Sequence, residues 1–304
     1  MKSYLRLCEE CDLLPEYPPS CYKLLVEGKP GVFGHLIEPT VRSFSWTENF
    51  IVDHDRRTVK VLGESCAVRS SHLEQLLISA KKNGTFKVLT RWYNEPFPVY
   101  GPDREVVLSM DRCAVPLFGV PSHAAFLIIY REDEAGISIW VARRAPTKWL
   151  YPNKIGCTVA GGIPTGETPG DCVVREAYEE AALDEKFVRE NVKAAGVVTY
   201  VTVTDSKSTS GGEAGLIVPE VQFQYEMKVG PDVVPKVHDM EASGFELLSI
   251  DELKKAIEEG DSTPGNACFF LDFFIRHGIV TFENEVNYTK IVSRLHRPIG
   301  VHAA

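Results

Sequence analysis

Three glutamates in the middle of the chain have a spacing that can do chemistry. Glu176, Glu179 and Glu180 stand at i, i+3 and i+4, so a helix through them places all three carboxylates on one face. Carboxylates that close repel one another unless positive charge sits between them, and a hard divalent cation with oxygen ligands is the natural partner. Alone, such a trio reads as an acidic, solvated helix face. Its surroundings argue for metal. Gly161 and Gly162 upstream permit a tight turn and offer carbonyl oxygens as further ligands. Glu167 and Arg175 can pair and hold that loop to the helix, while Val173, Ala177 and Ala181 form a separate apolar face that can pack on a sheet. A cation held this way stabilises charge developing on phosphate oxygens and lowers the pKa of an attacking water. The expected cation is Mg2+, with Mn2+ as an alternative.

Several elements must position these residues. Residues 124–130 are an apolar run of strand length, and 137–144 form a second strand ending in Arg143 and Arg144. Residues 157–160 are short and β-prone, and a Gly-rich loop leads into a helix over about 169–182. Residues 197–203 and 216–227 are further strands, separated by a loop at 205–215 rich in Ser, Thr and Gly. A short strand at 245–248 precedes a helix starting at Asp251, an apolar helix at 266–277 closed by Gly278, and a short helix at 287–295. In the first third, residues 71–83 read as the clearest helix: Ser71 and Glu74 have capping-box spacing, and Leu73, Leu76, Leu77 and Ala80 share a face. A Pro-containing stretch at 96–102 leads to a domain boundary placed near Met110. The alternation predicts an α/β class with a mixed sheet covered by helices on both sides. Residues 1–110 are expected to form a smaller α+β accessory domain and 111–304 the catalytic domain.

Composition narrows the function. A chain of 304 residues can hold two domains and bury a core without disulfides. A net charge of -9 and the lack of a basic tract argue against a nucleic-acid surface. Residues 1–15 do not resemble a signal peptide, and no apolar run reaches membrane-spanning length, so a cytoplasmic setting with reduced thiols is expected. Cys8 and Cys11 could be half of a zinc site, but no second pair of matching spacing follows, and they are read as helix-face thiols. A nucleophile-elbow pattern for a serine hydrolase is absent from the sequence.

The spacing from Gly161 to Leu183 resembles the Nudix box, G-x5-E-x7-R-E-U-x-E-E-x-G-U with U apolar. One position departs: Ala182 stands where the family has Gly, and because Ala favours helix this is expected to shift how the helix ends. The resemblance implies a Nudix α/β/α sandwich, with Glu176, Glu179, Glu180 and the Gly161 carbonyl as metal ligands and Glu167 and Arg175 as structural residues. It implies a base within the box or on a later loop or strand, where Glu220 and Glu241 are the candidates. Other stretches are similar to fungal and plant Nudix proteins related to the hydrolase half of certain thiamine pyrophosphokinases: Pro116-Leu117-Phe118-Gly119-Val120 with His123, Pro219-Glu220-Val221-Gln222-Phe223, Asn266-Ala267-Cys268 with 271–278, and Arg91-Trp92-Tyr93-Asn94-Glu95. That similarity implies hydrolysis of thiamine diphosphate, preferentially its oxidised oxo and oxy forms, to the monophosphate. Trp149, His123, Phe118 and Tyr151 are candidates to line a ring-binding cleft; Arg143, Arg144 and Lys148 are candidates to meet phosphate oxygens. Each also has a plain structural reading: packing for Trp149, a satisfied core histidine for His123, solvated strand-end charge for the cations. The alternatives are an ADP-ribose or other nucleoside-diphosphate-linked pyrophosphatase, and a non-catalytic module that binds a diphosphate ligand. The expected partner is a small molecule, without nucleic acid or membrane.

Overall fold

The computed structural model describes residues 3–148, 150–205 and 212–304. Its first part comprises α1 (Tyr4–Cys11), β1 (Tyr22–Val26), β2 (Gly34–Leu36), α2 (Glu38–Ser43), β3 (Phe50–Asp53), β4 (Thr58–Val61), α3 (Cys66–Lys82), β5 (Pro96–Tyr100), β6 (Val106–Asp111) and α4 (Val115–Phe118). The first four strands form a sheet in the order β2-β1-β4-β3, with β1 and β4 parallel, and β5 and β6 form a separate antiparallel hairpin. Helix α3 buries Leu73, Leu76, Leu77 and Ala80 as its spacing predicts. It starts earlier than the capping-box spacing suggested: Ser65 is the cap, its Oγ accepting the Val68 N–H at 3.3 Å. Ser71 lies inside the helix, where its hydroxyl accepts from the Gln75 amide instead. The core of this part runs from Tyr22 to Val120 and includes α4. Helix α1 packs elsewhere, placing Leu7, Cys8 and Cys11 in the core of the second part.

That second part comprises β7 (Ser122–Asp133), β8 (Gly136–Arg144), β9 (Ile155–Gly156), β10 (Val159–Gly162), α5 (Pro169–Ala181), α6 (Glu185–Asn191), β11 (Lys193–Val203), β12 (Ile217–Lys228), β13 (Ala242–Ser249), α7 (Ile250–Glu258), α8 (Pro264–Arg276) and α9 (Tyr288–Leu295). The main sheet runs β11-β12-β7-β8-β13; β12 and β7 are parallel and the other neighbours antiparallel, the mixed sheet expected. Alternation along the strands divides the core. On β7, Ala125, Leu127 and Ile129 pack with Val173, Ala177 and Ala181 of α5, whereas Ile128 packs with Phe269, Phe270, Phe273 and Phe274 of α8. Helices α5 and α6 thus cover one face, and α1, α7, α8 and α9 the other. Helix α8 begins at Pro264 behind a Thr263 cap, ahead of the expected Asn266, because Thr263 Oγ1 already accepts the Asn266 N–H.

One irregularity positions the site. Strand β7 pairs on one edge with β10 through Ala124 to Leu127, then with β8 from Ile129 onward. The edge therefore forks. Thr158, fully buried at the fork, donates through Oγ1 to the Trp140 carbonyl (2.6 Å) and accepts the Ile129 N–H (2.8 Å). All eight cysteines are unpaired, and among the described residues no group of three His, Cys, Asp or Glu is assembled to hold a metal. Cys8 and Cys11 are buried packing residues. Among the described residues no helix is long and apolar enough to cross a membrane.

Candidate active site

Helix α5 starts where Thr168 Oγ1 accepts the Asp171 N–H at 3.2 Å, with Pro169 in the first turn. Its apolar side faces β7, so its acidic side runs along β10. Glu176 lies directly against Gly161: a β-carbon there would fall 2.0 Å from Glu176 Oε1. Any side chain at 161 would have to displace that carboxylate. One turn later Glu180 accepts the Ala160 N–H at 3.0 Å, at the edge of β10 that the fork leaves open. Glu179 is 47% exposed. Arg175 does more than pair with Glu167. Its Nε and Nη2 donate to the two Glu167 oxygens (2.8 and 2.9 Å), and its Nη1 donates to Glu176 Oε1 (2.7 Å) and Glu179 Oε2 (2.8 Å). In this structure the positive charge between Glu176 and Glu179 is that guanidinium.

Burial pushes the Glu176 carboxyl up to about 7, outweighing the Arg175 contacts. Burial, then the charge of Glu176, raises Glu180 well above the carboxylate range. Glu241 lies beside Glu180, and both line a pocket between β8 and β10 together with Arg144, Lys148 and Asn266. Backbone contacts put Glu241 there: the Lys236 and His238 N–H groups donate to the Ala181 and Glu180 carbonyls (3.0 and 3.4 Å), and the Ala145 N–H donates to the Glu241 carbonyl (3.0 Å). Lys148 forms an ion pair with Glu241. Burial pushes Glu241 up, but the hydrogen bond and charge of Lys148, a hydrogen bond with Glu180 and the charge of Arg112 together outweigh it and the net shift is downward. The two neighbours are thus driven apart, Glu180 towards the protonated and Glu241 towards the ionised form.

The other expected residues are distributed less uniformly. Gly161, Glu167, Arg175, Glu176, Glu179, Glu180, Lys148 and Glu241 are brought together. Glu220 is not beside them. Alternation on β12 turns Val221, Phe223 and Met227 towards the α5 side or its edge and Glu220 and Gln222 to the other face, near Tyr200. Burial there lifts the Glu220 carboxyl to about 8. Arg143 is engaged by Glu246 (2.9 Å) and Asp261 (2.7 Å), and Arg144 donates twice to the Leu150 carbonyl (3.1 and 2.9 Å). His123 is 1% exposed, packed between Tyr100 and Phe223, and burial lowers it to about 4. Phe118 belongs to the N-terminal core, against Phe44. Tyr151 is half-buried with a left-handed backbone, φ 50°. Trp149 lies outside the described residues. Two contributors were not among the candidate site residues, although Asn266 lay in one of the stretches that carried the similarity. Asn266 lines the pocket and accepts the Cys157 N–H at 2.7 Å. Phe97, from the N-terminal hairpin, fills the space above Gly162, where a β-carbon would fall 2.4 Å from its Cζ.

The carboxylates, the glycine they close on and the sheet that frames them all lie in one stretch that matches a known domain. The NUDIX domain matches residues 121–268, and a domain of unknown function, DUF4743, matches residues 3–122. The chain belongs to the Nudix family. It carries a Nudix hydrolase domain, the domain of enzymes that act on phosphoanhydride bonds, and Nudix hydrolases generally use divalent cations such as Mg2+. An uncharacterised protein of Saccharomyces cerevisiae is 31% identical over 262 residues, which cover 85% of this chain and 76% of that protein. Nudix hydrolase 20, chloroplastic, of Arabidopsis thaliana is 28% identical over 204 residues, which cover 66% of this chain and 52% of that protein. The match thus spans about half the length of the plant relative. A solved Deinococcus radiodurans structure matches 67% of this chain and 100% of its own, at 19% identity and a TM-score of 0.41.

Proposed function

We propose that this Nudix domain hydrolyses the phosphoanhydride of thiamine diphosphate, and above all of its oxidised forms, to the monophosphate and phosphate. The observation that carries the hydrolase reading is the convergence of Glu176 and Glu180 on the open edge of β10, where the Glu176 carboxylate takes the space a side chain at 161 would need, with Glu241 alongside. Both carboxyls are raised by burial, Glu180 further by Glu176 and Glu176 further by Glu179 and Glu241, so they are poor anions without a cation; their donors are hard oxygens, which fit Mg2+. Glu176, Glu179, Glu180 and the Gly161 carbonyl would hold it. Bound there, the cation would stabilise charge on phosphate oxygens and acidify a water. The chain's own residues supply the rest. Glu241, held towards its ionised form by Lys148, is the base that takes the proton from the attacking water. Arg175 and Glu167 lock the loop to α5, and Thr158 fixes the fork so that the β10 backbone stays aimed at the carboxylates. The thiamine reading is supported by the similarity of 219–223, 266–268 and 271–278 to the thiamine-related subgroup. Eight unpaired thiols support a reducing, cytoplasmic setting.

Phosphate release from thiamine diphosphate, its oxo and oxy analogues, ADP-ribose and a dinucleotide, with Mg2+ or Mn2+ and with chelator, tests both levels. Chelator-sensitive release, fastest from the thiamine compounds, is expected. Preference for ADP-ribose would keep the Nudix chemistry and remove the thiamine substrate; no release from any member would leave a diphosphate-binding module. Glu180→Gln is expected to lower turnover about 10²-fold without lowering the melting temperature, since it removes a charge rather than a packing group. A fully active variant would sink the metal assignment.

A further inference from the structure

The cations around the carboxylates are largely committed. Arg143 and Arg144 are tied down as described, Lys148 is paired with Glu241, and Arg175 serves Glu167, Glu176 and Glu179. A diphosphate approaching these acidic groups must be met by positive charge with free N–H donors, because anions that close are mutually repelled. The N-terminal domain supplies such a group. Arg112 follows β6, and its side chain is 44% exposed. Its Nη1 donates to Glu95 (2.8 Å), and its guanidinium carbon lies 4.6 Å from the Tyr93 ring centroid and 5.9 Å from that of Phe97. Phe97 is the ring above Gly162. The guanidinium therefore lies beside the ring that covers Gly162 of β10, the strand whose Ala160 and Gly161 meet Glu180 and Glu176, and Glu241 is among the charges acting on it.

The mounting is rigid. The hairpin of β5 and β6 docks on the box loop: the Thr165 N–H donates to the Pro96 carbonyl (2.7 Å), and the Ser109 and Thr165 hydroxyls are 2.8 Å apart. Asp111, nearly buried, accepts the N–H groups of Tyr93 (3.2 Å), Asn94 (2.8 Å) and Cys113 (3.0 Å), fixing Asn94 in a left-handed conformation at φ 57°. The Arg112 N–H donates to the Glu95 carbonyl at 3.0 Å. A planar guanidinium held by one carboxylate and one ring face, with its remaining donors uncommitted among the described residues, is preorganised for a phosphate group.

We propose that the N-terminal domain completes the catalytic cleft, with Arg112 binding the substrate's diphosphate and Glu95 and Tyr93 positioning it. The choice of a diphosphate rests on the hydrolase reading, but the test does not need turnover. Calorimetric binding of inorganic pyrophosphate with Mg2+ is measured for wild type, Arg112→Gln, Arg112→Lys and Glu95→Gln, alongside steady-state kinetics on thiamine diphosphate and melting temperatures. Arg112→Gln is expected to weaken pyrophosphate binding about tenfold or more and to raise KM similarly, with kcat changed less than about threefold, as for loss of a charge-assisted contact made equally in ground and transition states. Arg112→Lys should recover part of the binding, since it keeps the charge but not the fork. Glu95→Gln should raise KM by a smaller factor at an unchanged kcat. Binding and KM unchanged in folded Arg112 variants, or a wild type that does not bind pyrophosphate, would overturn the proposal. Arg112-dependent binding without any turnover would support it while removing the hydrolase reading; turnover indifferent to Arg112 would do the reverse.

Discussion

At position 161 the Glu176 carboxylate occupies the place a β-carbon would take, so a side chain there must displace Glu176. Gly161→Ala should therefore push Glu176 out of register, cutting turnover about 10²-fold and costing about 1–3 kcal/mol of stability; kcat and a urea melt would read the two effects. Full activity would mean that Glu176 need not touch β10. The box carboxylates and this glycine were legible from spacing, since a helix fixes which residues share a face. The choice between Glu220 and Glu241 was not legible. Both are glutamates downstream of the box. Strand alternation puts Glu220 on the α8 face, and two backbone hydrogen bonds at the end of α5, with a third from Ala145 after β8, bring Glu241 to Glu180. The partners of Arg143 and Arg144 are likewise residues distant in sequence or loop carbonyls, which charge alone cannot foretell.

Among the elements, α5 ends differently from what Ala182 suggested. The helix stops at Ala181, and Ala182 takes the left-handed conformation, φ 53°, that glycine adopts without cost. The Leu183 N–H donates to the Ala177 carbonyl (3.1 Å) and the Ala182 N–H to that of Tyr178 (3.1 Å), so capping and the burial of Leu183 overrule local helix preference. Because the Ala182 side chain is exposed, Ala182→Gly should stabilise the protein by about 1 kcal/mol in denaturant melts, with turnover unchanged. A loss of stability would show that the left-handed turn is not strained. The starts of α3 and α8 teach a related lesson. Each segment offers more than one capping residue, and the one used is the one from which the buried face must begin.

For the whole molecule, the attachment of α8 to the sheet carries a pH dependence. Burial pushes Glu226 of β12 up, but hydrogen bonds from His277 and Arg276 outweigh it and bring it down to about 2. A carboxyl depressed in the folded state contributes stability that is present above its unfolded value near 4.5 and is lost as pH falls through about 2. Melting curves across that window should fall more steeply for wild type than for Glu226→Gln; equal slopes would remove Glu226 from the acid response. The other long-range tie is Asp12, which follows α1 and accepts from Arg294, Arg297 and the Val201 N–H, joining the start of the chain to β11 and to the end of the chain.

The sequence by itself determined the mixed α/β class, most strands and helices after residue 120 and the box carboxylates, because periodicity and spacing are local properties that the backbone must express; the 96–102 stretch, read as a connection, contains β5, and α6 was not foreseen. Tertiary structure alone decided that α1 belongs with the C-terminal core, that β7 forks at Thr158, that Glu241 rather than Glu220 meets Glu180, and that Phe97 and Arg112 of the first domain border the site. These depend on which distant surfaces bury one another, and burial is a property of the assembled chain.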